Sequence, residues 1–176
     1  LNEWNLNENE NFNNAGEADI FVSGDDVVFD DAATDASVRI NEKLYPKTVT
    51  FDNDTKTYSL SGNGGINGET GLTKKGNGTL VITSTNTYTG KTTLEGGVTA
   101  ISALADSIVR EGALGRYTNE IGNFEIKNGA TLRNTVAIKN GVPITIGEGG
   151  AVFQTDGELT LNKPLYGNGN TLTKAG

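Results

Sequence analysis

The sequence predicts an all-β chain wound as a parallel β-helix or similar β-solenoid. Three observations carry that expectation. Short runs of alternating apolar residues recur from Asp19 onward, glycine clusters separate them, and two of the most regular runs, Gly78-Thr79-Leu80 and Gly97-Val98-Thr99, start 19 residues apart. Strand-length runs of period 2 are half-buried strands, and a spacing of about 20 residues is close to one solenoid turn. An antiparallel β-sandwich is the alternative, because Lys127-Asn128-Gly129-Ala130 and Lys139-Asn140-Gly141-Val142 carry the Asn-Gly signal of tight hairpins. Their offset of 12 residues, 139 against 127, is not a solenoid turn.

Taken in order, residues 1–16 read as an irregular N-terminal cap or arm, dense in Asn and Glu around Trp4, Leu6 and Phe12. An open-ended stack needs such a cover, since a bare end templates aggregation. Residues 17–176 read as the solenoid. Ile20/Val22, Val27/Phe29, Val38/Ile40 and Val49/Phe51 are its first strands, divided by Ser23-Gly24-Asp25-Asp26, Asp30-Asp31-Ala32-Ala33 and Tyr45-Pro46. The most regular stretch is 71–102, with Leu80, Ile82, Leu94 and Ile101 expected in the core, Gly76, Gly78, Gly90 and Gly97 at corners, and Tyr88 as a wall aromatic. Leu80 and its neighbours are expected to stack against Val98 and its neighbours. Leu104, Ile108 and Val109 then suggest a short helix stopping at Gly112, an excursion from the stack. Short strands resume from Ile121 to Leu165, and Leu172-Thr173-Lys174 echoes Leu72-Thr73-Lys74, so the chain reads as cut at the start of a further repeat of a longer protein.

Composition excludes more than it assigns. The chain has 176 residues with 24 Gly and 3 Pro, and 22 Asp and Glu against 14 Lys and Arg give a formal charge of −8. Nucleic acid and acidic membranes are therefore not expected partners. No Cys and no His are present, which removes disulfides, thiolate chemistry and the usual neutral-pH base. No apolar run approaches the roughly 18 residues of a membrane-spanning helix.

Leu72-Thr73-Lys74-Lys75-Gly76-Asn77-Gly78-Thr79-Leu80, followed by Asn86-Thr87-Tyr88-Thr89-Gly90-Lys91-Thr92-Thr93-Leu94 and Gly97, resembles the autotransporter-associated β-strand repeat, also called the passenger-associated transport repeat. The resemblance implies a right-handed parallel β-helix in a protein that is secreted or displayed on the outer surface of a Gram-negative bacterium. It implies a structural role for the motif positions and transfers no catalytic residue. Trp4 and Gly24-Asp25-Asp26-Val27-Val28-Phe29-Asp30 are similar to the lead-in before such repeats in surface and polysaccharide-degrading proteins of the Bacteroidetes kind.

Candidate chemistry is sparse. Asp25, Asp26, Asp30 and Asp31, and the Asp52-Asn53-Asp54 start of a calcium loop, supply hard oxygen donors, but no Gly or late Glu continues the loop and no cofactor other than calcium is in question. A carboxylate pair such as Asp25 with Asp52 is the form a glycosidase would need. Lys74, Lys75, Arg110, Arg116 and Arg133 show no spacing that marks a catalytic base. Tyr58, Tyr88, Tyr117 and Tyr166 are the candidate ligand-binding residues, able to stack on neutral glycans or other cell-surface components. The expected function is a non-catalytic scaffold segment of an exported surface protein. A carbohydrate-binding or adhesive module is the alternative, and a part of a polysaccharide lyase or hydrolase comes third.

Overall fold

The computed structural model describes residues 2–106, 108 and 110–176, and among these it contains strands and no helix. The strands stack as a β-solenoid with two long parallel faces. The longer face runs in the order Asn2–Glu3, Ser37–Arg39, Thr57–Ser61, Thr79–Ile82, Val98–Ile101, Ala130–Asn134, Ala151–Thr155, Leu172–Ala175. The second face runs from Asp26–Asp30 through Thr48–Asp52, Leu72–Lys75, Thr92–Leu94, Phe124–Ile126 and Ile144–Ile146 to Leu165–Tyr166. A third, discontinuous face holds the parallel pairs Lys43–Leu44 with Gly65–Ile66 and Ile138–Asn140 with Leu159–Leu161.

Period-2 side-chain alternation builds the core. On the longer face Tyr58, Leu80, Thr99, Leu132 and Phe153 stand in one register column, with Val38, Leu60, Ile82, Ile101 and Asn134 in the next. All ten are buried. On the second face the inner column is Phe29, Phe51, Lys74, Leu94, Ile126 and Ile146. Each large apolar side chain buried in such a column stabilises the fold by about 1.5–3 kcal/mol. The expected contact of Leu80 with the Val98 strand appears as a register in which Thr79 faces Val98 and Leu80 faces Thr99.

Corners are tight where coils meet. Gly97 has φ +60°, and a Cβ there would land on the Gly78 carbonyl oxygen of the coil beneath, so only glycine lets the two backbones approach.

Three expectations are corrected. Ile20 and Val22 form no strand: they lie in the link between Glu17–Asp19 and Asp26–Asp30. Asn128-Gly129 and Asn140-Gly141 do not close hairpins. Both Asn128 and Gly129 have positive φ, but the strands on either side pair in parallel with neighbouring coils, so the sandwich is excluded. The two near copies are corners of one coil with a third corner, residues 135–137, between them, which accounts for their 12-residue spacing. The helix expected over 103–115 is instead a hairpin, Glu111–Gly112 antiparallel to Gly115–Arg116. Leu104 is buried and Ile108 is exposed, so they do not share a packed face, and Val109 lies outside the described residues.

At the N-terminal end, Asn2–Glu3 adds to the longer face and an antiparallel hairpin, Phe12–Asn14 with Glu17–Asp19, turns at Ala15 and Gly16. Trp4 is 1% exposed and meets Phe21 at 5.3 Å, Phe29 at 5.4 Å and Phe12 at 6.1 Å, all edge-on. These aromatics plug the end of the stack.

Candidate functional site

The four tyrosines are held in four different settings. Tyr58 is fully buried: period-2 alternation in Thr57–Ser61 turns it inward with Leu60, edge-on to Phe29 and Phe51 at 5.6 Å. Its hydroxyl donates to the Asp30 carbonyl at 2.6 Å, and burial, with the charges of Asp30 and Asp31, pushes the phenol up to about 12. Tyr88 is 1% exposed and shares a 2.8 Å hydrogen bond with Thr92 Oγ1, and burial pushes its phenol upward too. Neither presents a ring face to solvent. Tyr117 is half-buried on the excursion, with the Arg110 guanidinium 5.5 Å from its ring centre and its hydroxyl donating to Asn119 Oδ1 at 3.0 Å. Tyr166 is half-buried in the second face, in register with Thr145. The structure does not bring the four together. Close ring pairs among the described residues all belong to the column from Trp4 to Tyr58.

Apart from Asp26 and Asp52, the acidic residues singled out for calcium or paired-carboxylate chemistry accept backbone amides. Asp31 accepts N–H groups of Asp54 at 2.7 Å and Lys56 at 3.0 Å, and the Thr55 hydroxyl at 3.0 Å. The Asp54 amide first, then those of Lys56 and Thr55, hold its carboxyl down at about 2. Asp54 in turn accepts both the backbone and the side-chain N–H of Asn77 at 2.9 Å. Asp31, Asp54 and Asn77 thus form a polar ladder up one corner of three successive coils. Asp25 accepts the Val22 amide at 2.8 Å, Asp30 accepts the Ala32 amide at 2.9 Å, and Asp26 holds Lys47 Nζ at 2.8 Å and Thr48 Oγ1 at 2.7 Å. It is Asp30 and not Asp25 that faces Asp52 in register. Among the described residues no three His, Cys, Asp or Glu side chains are grouped as metal ligands.

One residue has a role that composition did not suggest. Lys74 is fully buried, standing in the inner column between Phe51 and Leu94. Its ammonium donates to the Lys75 carbonyl and, at 3.0 Å, to that of Gly76, so it caps the corner from inside. Burial pulls it down to about 8 against the upward pull of Asp52, Asp54 and Asp31. The signal was present in the alternation, since Lys74 shares parity with Leu72.

The family model of the Passenger-associated-transport-repeat matches residues 72–101, so the chain carries one such repeat, and the repeat coincides with the coil from Leu72 to Ile101. The chain is also 35% identical over 92 residues to the adhesin BmaC autotransporter of Brucella suis biovar 1 (strain 1330). That alignment covers 52% of this chain and about 2% of the relative's length. No solved structure matches the chain.

Proposed function

We propose that this chain is a non-catalytic stalk or scaffold segment of an exported, adhesin-like passenger, secreted or displayed on the surface of a Gram-negative bacterium. The observation that carries the reading is the outer side of the longer face. Thr57, Thr79, Val98, Thr131, Val152 and Thr173 stand in one unbroken column, flanked over several coils by Ser59, Val81 and Ala100. Short β-branched neighbours across parallel strands stabilise the ladder itself. Such a face offers rigidity and length. Each added coil buries its predecessor, as in other repeat stacks, so a passenger of this kind propagates order along its axis.

The test is deletion of residues 72–101 from the parent protein, followed by antibody labelling of intact cells. A scaffold that propagates folding predicts a severalfold loss of displayed passenger, and unchanged display would overturn it. Binding of a neutral glycan is the second reading. It is favoured by Tyr117 and Tyr166, the two of the four tyrosines that keep ring surface. It predicts retention on polysaccharide resin that Tyr117→Ala or Tyr166→Ala abolishes.

A further inference from the structure

The cap protects the two long faces unequally. On the longer face Asn2–Glu3 pairs with Ser37–Arg39, but the second face ends at Asp26–Asp30 with no strand beyond it among the described residues. The Lys47 amide donates to the Asp25 carbonyl at 2.8 Å. In a parallel ladder alternate residues turn their amide and carbonyl to opposite sides. Val27 and Phe29 therefore bond inward to Thr48–Asp52, while Asp26 and Val28 direct N–H and C=O at the open edge. Val28 is 58% exposed and Asp26 and Asp30 flank it, also exposed. The edge opens on a cleft of about 730 Å³, walled on its other side by the cap hairpin and lined by Phe12, Ile20, Asp19 and Asp25. That volume lies in the range of ligand-binding clefts.

Charge specifies the occupant. Residues 1–36 hold ten of the 22 Asp and Glu and none of the 14 Lys and Arg, a net −10, while residues 37–176 sum to +2. The net negative charge of the chain therefore lies within residues 1–36, and Asp19, Asp25, Asp26, Asp30 and Asp35 of that segment line the cleft. Like charges oppose pairing of the edge with a second copy of itself, whereas a cationic strand is steered toward it.

We propose that the open edge of Asp26–Asp30 and the adjoining cleft receive an extended, Lys- or Arg-bearing peptide segment of a partner protein, added as an eighth strand to the second face. The peptide backbone pairs with the outward amide and carbonyl of Asp26 and Val28, its apolar side turns with Phe29 toward Phe12 on the cleft side, and its cations stand over Asp26 and Asp30 on the outer face that these share with Val28. This is strand addition, in which main-chain bonds give affinity and alternate side chains give selectivity.

The 176-residue chain is titrated calorimetrically with an acetylated, amidated octapeptide of alternating Val and Lys. Binding is expected, weakened at least tenfold between 50 and 300 mM salt, and at least tenfold weaker for the matching Val-Glu peptide. Val28→Pro removes the outward N–H without removing a bond of the ladder to Thr48–Asp52 and is expected to reduce binding at least tenfold. Two Val-Lys peptides N-methylated on alternate residues, one in each register, test the same bonds without altering the protein, and the one that loses the amides facing the edge is expected not to bind. Failure of the Val-Lys peptide to bind, equal binding of the Val-Glu peptide, or full binding of both N-methylated registers overturns the proposal. So does self-association of the chain that Val28→Pro abolishes, which would assign the edge to a second copy.

Discussion

Two successive turns of the same ladder are built from very different lengths of chain. From Thr79 to its register partner Val98 takes 19 residues, and from Val98 to its partner Thr131 takes 33. The ladder does not register the difference: four residues of Thr79–Ile82 pair with Val98–Ile101, and four of Val98–Ile101 pair onward with Thr131 to Asn134. The extra chain leaves after Ile101 and returns at Asn123, whose carbonyl accepts the Thr92 amide at 2.8 Å. Between these points a hairpin takes over the third face. The Asn86 amide donates to Gly112 at 2.9 Å, its side chain donates to the Ala113 carbonyl at 2.7 Å, and the Arg116 amide donates to Tyr88 at 3.0 Å. Two faces therefore carry the register, and the third accommodates variation in sequence and length.

If that division is right, the largest contrast lies in side-chain truncation. Leu80 is fully buried in the regular coil and Ile108 is 86% exposed on the excursion. Leu80→Ala should lower stability by about 2–5 kcal/mol through lost burial and a residual cavity. Ile108→Ser should stay within about 0.5 kcal/mol. Urea midpoints of the two variants check this, and comparable losses would mean that the excursion is as integral as the coil.

Glycines sharpen the comparison at a smaller scale. Gly97 and Gly122 both have positive φ, +60° and +89°, but Gly97 lies against the carbonyl oxygens of Gly76 and Gly78 while nothing lies within 4 Å of a Cβ at Gly122. Gly122→Ala should cost about 1 kcal/mol, the left-handed conformation alone. Gly97→Ala adds a backbone displacement in the coil beneath and should cost about 2–4 kcal/mol. Thermal melts of both variants decide it. Equal costs would show that the coils separate freely at that corner.

Much of this was legible in the chain because a solenoid repeats its local rule. Parity alone places Leu80, Ile82, Leu94 and Ile101 inside, and the 19-residue offset of the two glycine-led strands is the register observed. What local sequence does not encode is the partner. Asn128-Gly129 reads as a hairpin because a tight turn and a solenoid corner use the same residues, and only the coils above and below determine where the next strand bonds. Residues 103–115 read as helix from apolar spacing, yet Asn86 and Tyr88 supply partners that hold the hairpin. The carboxylates of Asp25 to Asp31 look like open ligands until a turn 23 residues later, at Asp54, occupies Asp31. Tyr58 was readable as core by its parity with Leu60, whereas the burial of Tyr88 follows from the excursion folding over it.

The finest contrast lies within a single strand. Lys74 and Lys75 are neighbours in Leu72–Lys75, but Lys74 is buried between Phe51 and Leu94 while Lys75 is exposed. The unfolded chain holds the Lys74 proton up to the ordinary lysine range near 10.5, whereas the folded chain releases it near 8. Between those limits the unfolded state binds more protons, so stability rises with pH, and below pH 8 the fold carries the full cost of the buried cation. Tyr58 has the opposite sense. Its phenol is raised to about 12, so its contribution is present below pH 10 and is lost above that, as pH climbs through 12. The window from pH 8 to pH 10 therefore isolates the lysine. Urea midpoints at pH 7.5, 8.5 and 9.5 should climb in the native chain and in Lys75→Met, and should climb less in Lys74→Met. A slope that survives Lys74→Met undiminished would mean that the ammonium reaches water in solution, and that the inner column tolerates an opening at the most regular coil of the stack.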